Sequence, residues 1–469
     1  MALVWFRRDL RLHDNPALTR ALRESGVVLC AFCFESALLR GRHASGRRNA
    51  YLLACVSELG ASIRDRGGQL AVRHGDAAVE IPRLAAEAGA AKVHWNRDHT
   101  AHARCRDERV AAALSASGVG VEASAGVTCV DPALVRNRAG EPYRLFTPFF
   151  RAWLEAPRRV VHRAPRQISA PAGIRAGRPP SGDAVGASTT AAAVARAAGP
   201  GERAARRLLS ASLRRVDDYE RVRDQLDLDA TTRLSIPMHF GCLSPREIEA
   251  RVARRSSPDA KAVRRQLAWR DFWLSVIDAW PGNREQEHDA RFRGFRWRRD
   301  TRSLKAWKRG ETGYPLVDAG MRQLEAEGWM HNRARMVVSS FLTKNLLIDW
   351  RLGEAHFMRL LLDGDEAQNN GNWQWAASVG VDAQPYFRIF NPVRQQGRFD
   401  PTADYVRRWV PELRAMGEDW IARPWLAPIG VQRDGGCVVG TDYPEPIVDL
   451  AASAESARRR LKAYAKRRE

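Results

Sequence analysis

Short apolar runs alternate with helical-period segments over residues 1–130 and then give way to helical patterns alone. That switch constrains the fold more than any other feature. The runs Leu3–Phe6, Val27–Phe34, Leu70–Arg73, Lys92–Asn96 and Val119–Ala123 are rich in Val, Leu and aromatics, as strands are. Between them, Asn15–Ser25, Arg47–Arg66, Ala77–Ala88 and Ala103–Ser115 carry apolar residues at helical spacing. Asp14 and Asp76 are the expected N-caps. Strands alternating with helices predict an α/β domain with a doubly wound parallel sheet, binding its ligands beyond the carboxyl ends of the strands. Gly118-Val-Gly120 precedes a strand instead of following one, so it is not read as a dinucleotide fingerprint.

Residues 131–200 read as an interdomain linker, dominated from Ala164 onward by Ala, Pro, Gly, Ser and Arg. Within it, Thr189–Ala198 has the pattern of a helical turn or two. From Gly201 on, Arg203–Leu213, Pro245–Arg254, Ala262–Ala279, Val317–Glu327, Asn332–Asp349 and Glu354–Leu362 read as amphipathic helices. An all-α domain over 201–469 is the expectation, ending in the basic stretch Arg458–Glu469.

The net charge is +22 at pH 7, and only seven of the 76 basic residues are Lys. So positive a field implies a polyanionic partner, nucleic acid first and an anionic membrane surface second. The competing explanation is a genome that favours Arg codons. Seven Cys in 469 residues make no disulfide framework and point to a reducing cytoplasm. Cys30 and Cys33 form a single C-x-x-C inside a strand, where positions three apart face opposite sides, so zinc or thioredoxin chemistry is not expected. Charges follow within a few residues of Met1, which argues against a signal peptide, and no apolar run near them could span a bilayer. Neither a Gly-Lys dipeptide, nor H-E-x-x-H, nor G-x-S-x-G occurs, which excludes a Walker A motor and two hydrolase classes.

Two clusters carry candidate chemistry. Thr231-Thr-Arg-Leu-Ser235 gathers hydroxyls around one Arg at a loop-to-helix junction. It reads either as a capping segment or as a seat for a diphosphate, whose oxygens accept from all of these donors. Asp363-Gly-Asp365 with Asn369-Asn-Gly-Asn-Trp373-Gln-Trp375 packs carboxylates, amides and indoles into thirteen positions, with Arg333 and Arg335 upstream. It is either a polar helix–loop junction or the site of a planar, hydrogen-bonding ligand such as a flavin or a base. Asp363 with Arg335 is the expected ion pair, since a buried carboxylate needs a partner. The 15 Trp concentrate in the second half, and core packing accounts for most of them.

With these stand Val4-Trp-Phe-Arg-Arg-Asp-Leu-Arg-Leu-His-Asp-Asn15, Trp269-Arg-Asp-Phe272, Thr312-Gly-Tyr-Pro-Leu-Val-Asp-Ala-Gly-Met-Arg322, Gly328-Trp-Met-His-Asn-Arg333 and Pro385-Tyr-Phe-Arg-Ile-Phe-Asn-Pro392. On these motifs, in this order, the chain resembles the DNA photolyase/cryptochrome family over nearly its full length. In detail it is most like the microbial (class I) cyclobutane-dimer branch.

The resemblance implies an α/β antenna domain, a helical domain holding folded FAD, and light-driven repair of cyclobutane pyrimidine dimers in UV-damaged DNA by a cytoplasmic monomer. No metal and no membrane is implied. Tyr219, Thr231, Thr232, Arg233, Leu234 and Ser235 would contact the ribityl-phosphate part, and Asp363, Gly364 and Asp365 the ring and sugar, with Arg335 pairing Asp363. Asn369 would sit by the flavin N5. Trp297, Trp350 and Trp373 match an electron relay. Trp269 and Trp375 would wall the cavity into which the lesion is flipped. Arg223 matches a phosphate contact; Gln266, Arg270, Asn332, Arg333, Met336 and Gln395 match DNA or lesion contacts.

Two departures stand out. Gln266 occupies a place where dimer photolyases commonly carry Glu, and (6-4) photolyases an amide, whereas Met330-His-Asn-Arg333 follows the dimer branch. Folate-binding members have an Asn-Glu pair where this chain has His102-Ala103. A deazaflavin antenna, or an empty pocket, is expected over methenyltetrahydrofolate, with Gly41–Tyr51 lining whatever binds. A cryptochrome-type photoreceptor is the alternative within the family. Against it stand an intact Trp269–Trp375 pair and the absence of a long extension after the helical region. A non-catalytic nucleic-acid binder built on the Arg-rich surface is the alternative outside it.

Overall fold

The computed structural model describes residues 1–383, 385 and 387–466. Tyr386 of the Pro385–Pro392 motif and Arg467, Arg468 and Glu469 of the basic tail lie outside the described residues. The chain forms two compact units. The first comprises Met1–Asp217, Thr232–Pro281 and Leu362–Ala367, and the second Asp218–Thr231, Gly282–Leu361 and Gln368–Glu469. The chain-order division at 130 and 200 is therefore not the division by packing. The long helix Pro258–Ala279 belongs to the first unit. It is tied there by Trp153, whose Nε1 donates to Asp271 at 2.9 Å, and by Phe146, which stacks on Trp269.

In the first unit five strands, β1 (Ala2–Phe6), β2 (Val28–Phe34), β3 (Leu70–His74), β4 (Lys92–Asn96) and β5 (Gly120–Ser124), form one parallel sheet in the order β3-β2-β1-β4-β5. Leu3 aligns with Leu29 on one side and Val93 on the other. Every residue of β1 and β2 is buried, which is why both read as unbroken apolar runs: a parallel sheet covered on both faces has no polar side. Strand order reverses at β1 and β4, and the chain leaves those strands as Arg7-Arg8 and Arg97-Asp98. In doubly wound sheets that crevice is where ligands bind.

The helices begin where side chains cap them, with one correction. Asp76 caps Ala77–Ala88 by accepting from the Ala78 amide. Asp14 does not cap the next helix. Its φ of 54° is left-handed, whereas an N-cap is extended. Asn15, with φ −104° and ψ 99°, caps Pro16–Glu24 by accepting from the Leu18 amide. The Asp14 carboxylate turns instead to Arg159, Ser244 and the His162 amide. In the stretch expected as linker, Thr189–Ala197 is a helix capped by Ser188.

The second unit is helical. Its core gathers Trp307, Met321, Leu324, Val337, Phe341, Leu346, Trp350, Phe357, Trp373, Val406 and Leu461. Asn332–Asp349, expected as one helix, is not one. The α-helix ends at Ser340, a single π-helical turn spans Phe341–Asn345, and Leu347 takes φ 53°. Asp349 caps the following helix, Trp350–Leu360. Lys344 and Asn345 are buried in the π turn, so the apolar period slips at the point where the sequence pattern was carried through. Among the described residues no helix is long and apolar enough to cross a membrane.

Candidate cofactor and nucleic-acid site

The first unit gathers charge at the crevice between β1 and β4. Arg8 Nη2 donates to Asp365, and its Nη1 lies 3.4 Å from Asp98. Against the burial that disfavours its charge, these two carboxylates hold the Arg8 guanidinium above its ordinary range. The reciprocal holds for Asp365: burial alone would raise it, but Arg8 and the neighbouring His239 keep it well below the usual carboxylate range. His239 Nδ1 lies 3.9 Å from Asp365, an ion-pair distance too long for a hydrogen bond, and burial pushes the imidazole down. Asp363 also belongs here, where its charge supports the buried Arg48 against desolvation. Arg335 donates from Nε to the Met330 carbonyl at 2.8 Å.

Of the hydroxyl cluster, Thr232 to Ser235 stand in this unit. Arg233 takes φ 50°, the Thr232 carbonyl accepts from Ser212 Oγ at 3.1 Å, and Ser235 opens the short helix Ser235–His239. The junction expected from sequence is there. Leu234 is buried and serves as its anchor.

On the helix Pro258–Ala279, Gln266 and Trp269 are half-buried and three positions apart, hence on one face. The Trp269 indole lies flat on Phe146, ring centroids 3.6 Å apart and 6° from parallel. Arg270, expected among the DNA contacts, points the other way. It is buried, donates to the Val127 carbonyl at 2.8 Å and lies 3.7 Å from Asp271. It belongs with the interior charge, since it also helps lower Asp365.

The second unit brings together residues from three separate segments. Arg333 pairs with Asp224 at 2.8 Å, and its guanidinium carbon lies 4.1 Å from the Phe399 ring centre. The Leu226 amide donates to the Phe399 carbonyl at 2.7 Å. The segment bearing Tyr219 and Arg223, the helix Asn332–Ser340 and the helix Pro392–Phe399 bearing Gln395 thus meet. His331 caps Asn332–Ser340, its Nδ1 accepting from the Arg333 amide at 3.1 Å. Nδ1 must therefore be unprotonated, and burial pushes this imidazole down to about 4. Asn332 is exposed, with Nδ2 3.7 Å from the Met336 sulfur. Tyr219 is buried and Arg223 half-buried. Thr231 Oγ1 and Gln395 Oε1 are buried and find no hydrogen-bond partner among the described residues.

The helix Glu366–Ala377 carries Asn369, Trp373 and Trp375. Asn369 is buried and donates from Nδ2 to the Glu354 carbonyl at 3.0 Å, while Trp375 is half-buried. Trp373 is buried with its ring edge-on to Phe357 and Trp307, centroids 5.0 and 6.0 Å away. Gly353 makes that placement possible, since a Cβ there would come 2.2 Å from the indole. Trp350 is fully buried and donates to Glu287 at 3.3 Å. Trp297 packs half-buried on Phe295, its Nε1 buried and without a partner among the described residues. All three matched Trp belong to one core.

Sequence reasoning missed Arg8, Asp98, His239 and Arg48. The signal for Arg8 was present, because it follows the first strand in the opening motif. Its partner is 357 positions away and spacing could not supply it.

Residues 2–170 match the family model for DNA photolyase, and residues 263–463 that for the FAD binding domain of DNA photolyase. A deoxyribodipyrimidine photo-lyase of Streptomyces griseus is 44% identical over 96% of this chain and 97% of its own length. The crystal structure of a bacterial class III photolyase from Agrobacterium tumefaciens superposes with a TM-score of 0.93 at 36% identity, covering 99% of this chain and 98% of that one. A Synechocystis cryptochrome superposes with a TM-score of 0.88 at 31% identity, covering 98% of each.

Proposed function

The chain belongs to the DNA photolyase family, and from that premise we propose that it is a deoxyribodipyrimidine photo-lyase, which binds UV-damaged DNA and opens cyclobutane pyrimidine dimers under blue light. The observation that carries this reading is Trp269. Its half-buried indole is braced flat against Phe146 and flanked by Trp273 with centroids 5.5 Å apart, an aromatic cluster on which an unstacked pyrimidine would stack. Base–aromatic stacking is worth about 1–3 kcal/mol per base. Trp375 would stack on the second pyrimidine, and Gln266, on the same face as Trp269, offers an amide oxygen to accept and an NH₂ to donate to a pyrimidine edge.

The residues present fit FAD. The buried Thr231 hydroxyl lacks a partner, as a donor reserved for a phosphate oxygen would. Thr232, Arg233 and Ser235 add donors of the same kind, with Tyr219 nearby in sequence. Asn369 has its amide nitrogen committed to the Glu354 carbonyl, and its oxygen is the atom that would accept from the flavin. Asp365, held by Arg8, and Asp363, with Arg335 as its counterion, supply acceptors for ring and sugar groups, with Gly364 between them. When bound and reduced, FAD supplies an electron to the lesion on illumination and takes it back after the two inter-pyrimidine bonds open. The protein binds, orients and excludes water. Trp373, Trp350 and Trp297 provide oxidisable rings from core to half-exposed position, serving photoreduction of the cofactor. Arg223, Asn332, Arg333, Met336 and Gln395 line the DNA side.

A second chromophore has a candidate seat. Ala44, Ser45, Gly46, Asn49 and residues 183–186 line a cavity of about 420 Å³, within the range of small-molecule pockets. Ser45 stands at the N-cap of Gly46–Arg64 without capping it, and its hydroxyl is buried and without a partner among the described residues. With His102-Ala103 in place of the folate pair, this cavity would take a deazaflavin in preference to a folate, or no antenna at all.

The test is a mixture of purified protein with dimer-containing single-stranded DNA, half of it exposed to blue light. Light-dependent loss of dimers, by protein that carries non-covalent FAD, is the expected result. The likeness to the Synechocystis cryptochrome makes a photoreceptor the competing reading, and flavin-loaded protein that binds the DNA without repairing it would establish that reading instead.

A further inference from the structure

Lys344 has no part in the mechanism above, yet it is a fully buried lysine, and burying an ammonium is costly. Its side chain is fully inside, in the π turn Phe341–Asn345. Nζ donates to the Ala377 carbonyl at 3.1 Å and to Ser378 Oγ at 2.6 Å. Neither partner is a carboxylate, and burial pushes the ammonium down to about 7. A buried cation without an anion is expensive, and replacement by an apolar side chain is the usual stabilising solution. The position of the contact explains why Lys is placed here.

Ala377 is the last residue of the helix Glu366–Ala377, and a cation at a helix C-terminus meets the negative end of its dipole. Ser378 is left-handed at φ 65°, a conformation that ordinarily calls for glycine after a helix. A non-glycine residue holds it at a cost of about 1–2 kcal/mol unless something pins it there. That turn returns the Ser378 amide to the Trp375 carbonyl at 3.2 Å and the Val379 amide to the Gln374 carbonyl at 3.0 Å. The opposite side of the same helical turn is anchored by Gln374, which donates to the Asn283 carbonyl at 2.7 Å and accepts from the His288 amide at 2.9 Å. Trp375 stands between these two anchors.

We propose that Lys344 is a positioning residue for lesion recognition: by clamping Ala377 and Ser378 it fixes the helix end that aims Trp375. The inference rests on the lesion-stacking role of Trp375 proposed above.

The experiment measures flavin content, and affinity for damaged and undamaged single-stranded DNA, in Lys344→Met, Ser378→Ala, Trp375→Ala and the double variant Lys344→Met/Trp375→Ala. Lys344→Met should keep its FAD and its affinity for undamaged DNA while losing about tenfold on damaged DNA, equivalent to ~1.4 kcal/mol. Ser378→Ala should move the same way by less. In the Trp375→Ala background Lys344→Met should cost nothing further, because residues acting as one unit are non-additive. Equal loss on both DNAs, or the full effect of Lys344→Met persisting without Trp375, would overturn the proposal and leave Lys344 a structural residue. Should Lys344→Met fail to fold, the same comparison is made with Ser378→Ala, and an unchanged damaged-DNA preference there also overturns it. If Trp375→Ala alone fails to separate damaged from undamaged DNA, the stacking reading falls first, and this inference with it.

Discussion

A charge network of the first unit and several polar groups of the second handle burial in opposite ways. Around the strand-order reversal of the first, Arg8 pairs with both Asp98 and Asp365. In the second, Lys344 is buried against a carbonyl and a hydroxyl, and Thr231 Oγ1, Trp297 Nε1, Gln395 Oε1 and His331 Nε2 are buried without partners among the described residues. A satisfied network rigidifies, whereas an unsatisfied group costs free energy until something binds it. The first arrangement holds a frame, and the second keeps donors and acceptors in reserve for ligands.

The contrast is broken most severely by Arg8→Ala. It leaves Asp98 and Asp365 buried without their nearest cation, and removing one partner of a buried pair costs about 3–5 kcal/mol. Chemical denaturation should show that loss in protein stripped of flavin. A loss under ~1 kcal/mol, the scale of exposed pairs, would mean that the network is solvated.

Acid should loosen the helix that His331 caps. The folded His331 imidazole resists protonation down to about 4, while an unfolded one takes up its proton near 6.5. The unfolded state therefore binds more protons in that window, and stability falls as pH drops from 6.5 to 4, by up to ~3 kcal/mol. Asp365, depressed by Arg8, adds its own loss only below the ordinary carboxylate value of 3.8. Hydrogen exchange at pH 7, 5 and 3.5 should show the Asn332–Ser340 helix loosening as pH falls through this window. Protection unchanged between pH 7 and 3.5 would contradict the assigned cause.

Trp297→Phe should slow photoreduction of oxidised flavin by about tenfold or more, ~1.4 kcal/mol in barrier terms, yet spare repair by chemically pre-reduced protein. Equal loss in both assays would place Trp297 in the lesion cavity instead. The smallest effect is expected for Gln266→Glu. Dimer repair should change by less than about tenfold, because the acceptor geometry survives while the amide donor is lost. Wild-type repair of (6-4) products but not of dimers, assayed from pH 6 to 9, would overturn the substrate assignment and leave the fold and flavin intact.

The alternation of short apolar runs and helical segments made the sheet legible, because parallel strands buried on both faces leave an unmistakable pattern, as Ala2–Phe6 and Val28–Phe34 show. Helix starts were legible where one residue suffices, as at Asp76. They failed at Asp14, whose partners Arg159 and Ser244 are remote in sequence. The same distance hid Arg8 behind Asp365. Arg270 was misread because sequence does not say which side of a helix meets Val127. The split of Asn332–Asp349 was invisible to a periodicity argument, since the pattern survives on both sides of the slip.

The π turn at Phe341–Asn345 carries a consequence that no substitution reaches. A π turn accommodates one residue more than the α-helical ladder it interrupts. It is the last turn of its helix, since Leu347 is left-handed and Asp349 opens the next one. Lys344 faces inward on the wider turn. Deleting a single residue between Phe341 and Lys344 would tighten that turn to α and rotate the ammonium by roughly 100° off Ser378, with the composition of the core almost untouched. In that sense chain length here is itself a specification: two homologues differing only by one residue in this turn would aim the same lysine in different directions.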